Sequence, residues 1–250
     1  MSKVARLQVA VVLGFTALLE LLTQTGAIDR LTMIPPSAMA AHLGRMLIAG
    51  ELNAAMAQTF ANIAVAFALA VTAGFAAGLA IHALPRLRRL ADPLLASYYA
   101  VPFFVFYPLL IAVFGLNRWP LIAIGFVFGA AAMVIATLNG LDRVPRVLRK
   151  VAQVHGMGRM EAVSHVILPA AAPHLFTGIK LALAYAFIGV IAGEFILSGS
   201  GLGHAIAYAY DSFDNQTMYA LMLFVIVLAV ALNAGLHVWE QRLLRRRRRG

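Results

Sequence analysis

Long apolar runs alternate with short polar segments along the 250-residue chain. A helix needs about 20 apolar residues to cross about 30 Å of hydrocarbon, and each run approaches or exceeds that length. The pattern therefore predicts an all-α integral membrane protein with about six transmembrane helices. The predicted spans are 9–22, 59–84, 98–116, 119–138, 175–197 and 218–239.

The segment 150–169, KVAQVHGMGRMEAVSHVILP, is a long polar and basic stretch between two apolar runs. Apolar residues recur at helical spacing on both sides of Gly156 and Gly158, and these glycines break the helical pattern. We expect two short helices, 150–155 and 159–167, joined at a bend. Because Pro169 lacks a backbone donor and biases Leu168 away from helix, the second helix is expected to end there.

Lysine and arginine are distributed unevenly among the segments that connect the predicted spans. One side receives Lys3, Arg6, Arg86, Arg88, Arg89, Arg143, Arg146, Arg149, Lys150, Arg159, Arg242 and Arg245 to Arg249, and the other only Arg30, Arg45 and Arg118. The positive-inside rule places both termini and the 150–169 segment in the cytoplasm. The terminal arginine run is expected to lie against anionic headgroups rather than on RNA, so no nucleic-acid partner is predicted.

Composition agrees with the membrane assignment, since 62% of the residues are hydrophobic and only 12% are charged. The chain has no cysteine, which excludes disulfides, thiolate nucleophiles and cysteine metal sites. It also lacks the GxxxxGK[ST], GxSxG and HExxH patterns of ATP-binding loops, hydrolases and metalloproteases. We therefore expect a protein that is not an enzyme, with no catalytic residue, no metal site and no cofactor of its own.

The N-terminal run has two interpretations. Lys3 and Arg6 before an apolar stretch resemble the start of a signal peptide, but residues 23–28 contain no convincing small-residue cleavage site. We interpret the run as a retained helix.

The 150–169 segment resembles the loop by which permease subunits of ATP-binding-cassette (ABC) importers dock on their ATPases, patterned E-A-A-x(3)-G-x(9)-I-x-L-P. Ala152, Gly156, Leu168 and Pro169 match that pattern, and Val166 replaces its isoleucine. Lys150 stands in place of the usual glutamate, and Val151 in place of the first alanine. An ordinary pair of loop helices is the alternative. The ATPase-docking candidates are Lys150, Ala152, Gly156, Gly158, Arg159, Leu168 and Pro169.

The resemblance implies a MetI-like, type I ABC importer permease in the bacterial inner membrane. It implies one transmembrane domain over 1–250, with a core at 59–239, a coupling loop at 142–169 and a basic tail at 240–250. The stretch 179–195 is most similar to importers of nitrate, sulfonate, taurine and pyrimidine precursors. The implied partners are cytoplasmic ATPases that bind ATP and Mg²⁺, a periplasmic binding protein, and a second permease, identical or related. The alternatives are an ion-gradient-driven transporter and a non-transporting scaffold.

Aromatic residues crowd the start of the third apolar run, around Pro102 and Pro108. Prolines interrupt a helical hydrogen-bond ladder, which a membrane tolerates where neighbouring helices or a cavity satisfy the freed carbonyls. This segment is our candidate for the translocation path, and an aromatic belt with core packing is the alternative. The candidates here are Tyr98, Tyr99, Pro102, Phe103 and Phe106.

Polar residues within the apolar runs are the remaining candidates. Glu194 is either a gate or pore-lining group, or a carboxylate that reaches interfacial water or a neighbouring helix. Lys180 is expected to extend to the cytoplasmic face. The pairs Gly74/Gly78 and Gly125/Gly129 predict close helix packing. Met39, Leu43, Met46 and Leu47 predict an amphipathic helix, which either contacts a binding protein or seals the path, or simply lies in the interface.

Overall fold

The computed structural model describes residues 3–29 and 32–247. These residues form helices joined by short connections. In chain order the helices are α1 Lys3–Gln24, α2 Pro36–Ala49, α3 Asn53–Ala83, α4 Pro85–Ser97, α5 Tyr107–Phe114, α6 Trp119–Asp142, α7 Arg146–Val154, α8 Arg159–Ala162, α9 Leu168–Leu197, α10 Leu202–Asp211 and α11 Asn215–Arg247.

Among the described residues, five helices are long and apolar enough to cross a membrane. They cover five of the predicted runs and confirm an all-α membrane fold. They are Arg6–Gln24, Asn53–Ala83, Trp119–Asp142, Arg159–Ile196 and Asn215–Gln241.

The third predicted run differs from the expectation of a full span. Its apolar helix covers only Phe103–Phe114, and at about 1.5 Å per residue such a helix falls well short of the hydrocarbon thickness. Short 3₁₀ turns at Tyr98–Ala100 and Phe103–Phe106 precede α5, and Pro102 lies between them. Because Pro102 and Pro108 each lack an N–H, the expected break in the helical ladder is present here.

Helix α6 is the most buried of these five helices, because 67% of the residues in its most apolar stretch are buried. On the side that faces α3, glycines of α3 allow this close packing. A Cβ atom added at Gly74 would lie 2.8 Å from the Cβ of Met133, and one added at Gly78 would lie 2.6 Å from the Cβ of Thr137. The backbones of α3 and α6 therefore approach as the small-residue pattern predicts.

The second glycine pair brings α6 close to α9. A Cβ at Gly129 would lie 2.9 Å from the carbonyl oxygen of Ala182, and one at Gly125 would lie 3.1 Å from that of Ala186. From the α9 side, a Cβ at Gly189 would lie 2.9 Å from the Cα of Gly125. Helix α6 is thus packed against both α3 and α9 at backbone distance.

The structure corrects the expectation that a helix ends at Leu168. Residues Arg159–Ile196 form one helix of 38 residues that passes through Pro169 and also contains Pro173. A π-helical turn at Val163–Ile167 lies immediately before α9. A proline ring clashes with the carbonyl four residues earlier, so the wider turn accommodates Pro169 without ending the helix.

The described residues divide into two compact units, which fall within Met1–Gln58 with Glu194–Leu228 and within Thr59–Gly193 with Ala229–Gly250. The first unit contains the amphipathic helix predicted from the sequence, which forms as α2. Met46 of α2 packs in a buried cluster with Leu52, Ile206 and Leu221. The second unit contains the α3, α6 and α9 packing described above.

Candidate functional site

Helix α7 follows α6 after only three residues and begins at Arg146, next to Pro145. The ring of Pro145 fixes its φ at −57, and its ψ is 134. This extended conformation turns the chain into the new helix. On the inner side of α7, Ala152 is buried. Lys150, in the turn before it, is exposed to solvent.

The outer side of α7 carries an apolar stripe that sequence analysis missed. Val147, Val151 and Val154 are 69%, 43% and 85% exposed. Their spacing of four and three residues puts them on one face of the helix, and this spacing was the available sequence signal. Met160, just beyond the bend, is also 80% exposed. An apolar face flanked by basic side chains is a surface suited to a protein partner.

The bend after α7 depends on Gly156, which has φ +67. The N–H of Gly156 donates to the carbonyl of Gln153 (3.0 Å), and the N–H of Met157 donates to that of Ala152 (3.0 Å). This pair of bonds is a Schellman motif, which ends a helix through one left-handed residue, usually glycine. The predicted bend is present, with its first helix at Arg146–Val154 rather than 150–155.

The other docking candidates lie beyond the bend. Gly158 has φ −63 and ψ 162 and precedes Arg159, the exposed first residue of α8. Leu168 and Pro169 line a groove of about 320 Å³ together with Ser164, Ala172, Leu175, Phe176 and Ile179. The docking candidates therefore fall on consecutive turns of the α7 to α9 segment.

Two of the five candidates near Pro102 pack against α6. The Tyr98 hydroxyl donates to the carbonyl of Val127 (2.9 Å), and the Phe103 ring meets the Phe128 ring edge-on at 5.5 Å. Phe106 is 47% exposed. Pro102 is the residue between the two 3₁₀ turns, and the side chain of Tyr99 lies outside the described part. These contacts favour a packing role for Tyr98 and Phe103.

Glu194 is fully buried near the end of α9. Its Oε2 accepts a hydrogen bond from the backbone N–H of Gly203 (3.2 Å) in the first turn of α10. Helix N-termini present unpaired N–H groups and a positive partial charge, so this carboxyl group is placed to cap α10. Of the interpretations open from the sequence, the contact with a neighbouring helix is the one observed.

Lys180 forms an ion pair with α11, and its extension to the cytoplasmic face stays a prediction. Its Nζ lies 2.6 Å from Oε2 of Glu240 on α11, and both side chains are partly buried.

Among the described residues, no group of three or more His, Cys, Asp or Glu side chains is placed to hold a metal ion.

Comparison with known proteins decides the family. The model of the binding-protein-dependent transport system inner membrane component family matches residues 70–249, which include α7, the Gly156 bend and α9. The chain belongs to this family. The family is described as the inner membrane component of binding-protein-dependent transport systems.

Individual relatives agree with the family assignment. The nitrate import permease protein NrtB of Leptolyngbya laminosa is 28% identical over 179 residues, covering 72% of this chain and 64% of NrtB, which is less than two thirds of that relative. The taurine transport system permease protein TauC of Escherichia coli is 28% identical over 188 residues, covering 75% of this chain and 68% of TauC. An inward-facing structure of the MetNI methionine ABC transporter matches with a TM-score of 0.65 at 18% identity, covering 74% of this chain and 92% of that one. This last similarity supports the type I importer fold.

Proposed function

We propose that this chain is the transmembrane subunit of an ATP-driven importer and docks on a cytoplasmic ABC ATPase through the coupling loop 142–169. The observation that carries the proposal is the exposed valine stripe of α7, ended at a fixed angle by Gly156. An apolar helix face with basic neighbours suits a groove on a partner protein. The ATPase would bind ATP and Mg²⁺ and hydrolyse the ATP, and this subunit would form the translocation path.

The proposed solute is a small anion or zwitterion such as nitrate, taurine, another sulfonate or a pyrimidine-like compound. Two similar permeases are named for nitrate and taurine, which supports this class. A periplasmic binding protein would deliver the solute. A second permease, identical or related, would complete the path, as the resemblance described above implies.

The proposed topology places both termini and the coupling loop in the cytoplasm of a bacterium. The chain would cross the inner membrane six times, with the irregular segment 98–116 as its third crossing. Fusions of alkaline phosphatase, which is active only outside the cytoplasm, should be inactive after Arg89, Arg149 and Arg249. The basic residues before these points favour retention inside. A fusion after Glu51 should be active and serves as the control. An active fusion after Arg149 would remove the docking proposal.

The proposed energy source predicts that the purified chain hydrolyses no ATP. Co-expression with a cassette ATPase of the same organism should give a complex that survives purification and hydrolyses ATP. The matched control is the same complex with the phosphate-binding lysine of the ATPase replaced, which should be inactive. Hydrolysis by the isolated chain, or no complex with any such ATPase, would contradict the proposal.

A further inference from the structure

An ionic network surrounds the C-terminal residue of α6. Oδ2 of Asp142 lies 2.9 Å from Nη2 of Arg88 on α4, and Oδ1 of Asp142 lies 3.1 Å from Nδ1 of His82, near the end of α3. Nε of Arg88 lies 2.7 Å from Oδ1 of Asp92. The network of His82, Arg88, Asp92 and Asp142 therefore joins α3, α4 and α6.

The same end of α6 is tied to α7. Nη2 of Arg149 donates to the carbonyl oxygen of Leu141 (2.8 Å), one of the last carbonyls of α6. Terminal carbonyls of a helix lack partners within the helix, so a basic side chain there is favourable. Leu141 and Val144 are buried together with Ala171 of α9. Helix α7 therefore leaves α6 next to Asp142 and is held there by both polar and apolar contacts.

The geometry of Arg88 distinguishes this network from an ordinary surface ion pair. Single exposed pairs contribute little, but a planar guanidinium that binds two carboxylates on two helices fixes their relative position. Burial tends to lower the pKa of Arg88, and the hydrogen bonds and charges of Asp142 and Asp92 outweigh it and raise that pKa. Arg88 thus remains charged and shared between α4 and α6.

We propose that Arg88 and Asp142 are positioning residues that hold the docking helix α7 at a fixed angle to α3, α4 and α6. Movement of α7 on an ATPase would then pass to these helices as one body. The transmission of movement from an ATPase rests on the proposed function, whereas the positioning of α7 by Arg88 and Asp142 concerns this chain alone. Two measurements separate them.

The first measurement is a distance within the isolated chain in detergent. Because the chain has no cysteine, Leu90→Cys on α4 and Val154→Cys on α7 introduce unique sites for spin labels, and both residues are exposed. Double electron–electron resonance should give a narrow distance distribution in the otherwise unchanged chain. Arg88→Gln and Asp142→Asn should broaden or shift it, because each breaks the bridge between α4 and α6.

The matched control is Arg89→Gln, which removes the same charge from an exposed neighbour on α4. It should leave the distribution unchanged. If Asp142→Asn fails to fold, as judged by helical circular dichroism and elution, Arg88→Lys replaces it, since lysine keeps the charge without the planar fork. Distributions for Arg88→Gln and Arg88→Lys that match that of Arg89→Gln would overturn the positioning role.

The second measurement uses the complex with the co-expressed ATPase and binding protein in liposomes. Arg88→Gln should retain the ATPase and its hydrolysis while uptake per ATP hydrolysed falls by about tenfold. Arg89→Gln should transport normally. Equal uptake per ATP in the two variants would overturn the coupling role. Failure of the unchanged chain to bind the ATPase would refute the proposed function and leave the distance result standing.

Discussion

Replacing Gly156 by valine is expected to abolish ATP-driven uptake while the protein still inserts into the membrane. Gly156 has φ +67, and no atom lies within 4 Å of a Cβ added there. The cost is therefore backbone strain of about 1 to 2 kcal/mol rather than a clash. Relief of that strain would break the Schellman bonds and redirect α7. Uptake and co-purification of the ATPase should both be measured.

Two matched variants test whether the left-handed backbone is the cause. Gly199→Val adds the same side chain at a glycine outside the coupling loop, where φ is not positive and no atom lies within 4 Å of an added Cβ, and it should retain the ATPase. Gly156→Asn should retain much of the uptake, because asparagine tolerates the left-handed region better than other residues. Normal uptake by Gly156→Val would show that the bend does not orient the docking helix.

The sequence predicted the bend at Gly156 because the structure of a helix end is set locally. A glycine between two helical stretches is a strong indication of a left-handed helix end, and Gly156 adopts that conformation. Five of the six predicted spans likewise correspond to helices long and apolar enough to cross a membrane, since length and hydropathy suffice for that inference. The assignments of docking roles to individual residues, and of the translocation path, stay predictions.

Two expectations for helix bounds were wrong at prolines. Pro169 was expected to end a helix, yet the helix continues through it with one π turn. The wider π turn before Pro169 makes room for the proline ring, so the helix continues instead of ending. Conversely, composition alone gave 98–116 as one span, whereas its prolines reduce it to short helical pieces.

Side-chain contacts between residues far apart in the sequence are most of the features that sequence patterns did not predict. Lys180 and Glu240 are 60 positions apart, and Arg88 and Asp142 are 54 apart. Hydropathy and spacing say nothing about which charges meet when helices pack. Glu194 shows the same limit, because only the fold brings the first turn of α10 over its carboxyl group.

The junction between Glu194 and α10 carries the second large prediction. Gly201, the residue just before α10, has φ +100. A Cβ added there would lie 2.5 Å from both Oε1 and Oε2 of Glu194. The carboxyl group is fully buried and has no space to retreat into solvent. A side chain at Gly201 would therefore displace Glu194 from the N–H of Gly203.

We expect Gly201→Val to lose uptake while the ATPase remains bound, because the docking helix is in a separate part of the chain. Backbone strain and a buried carboxyl group deprived of its hydrogen bond should together cost about 3 to 5 kcal/mol. Gly199→Val is the matched control, since no atom lies within 4 Å of a Cβ there. Thermal stability in detergent, ATPase co-purification and uptake should be compared. If Gly201→Val behaves like Gly199→Val in all three, Glu194 does not anchor α10, and a gating role for its carboxyl group becomes the better explanation.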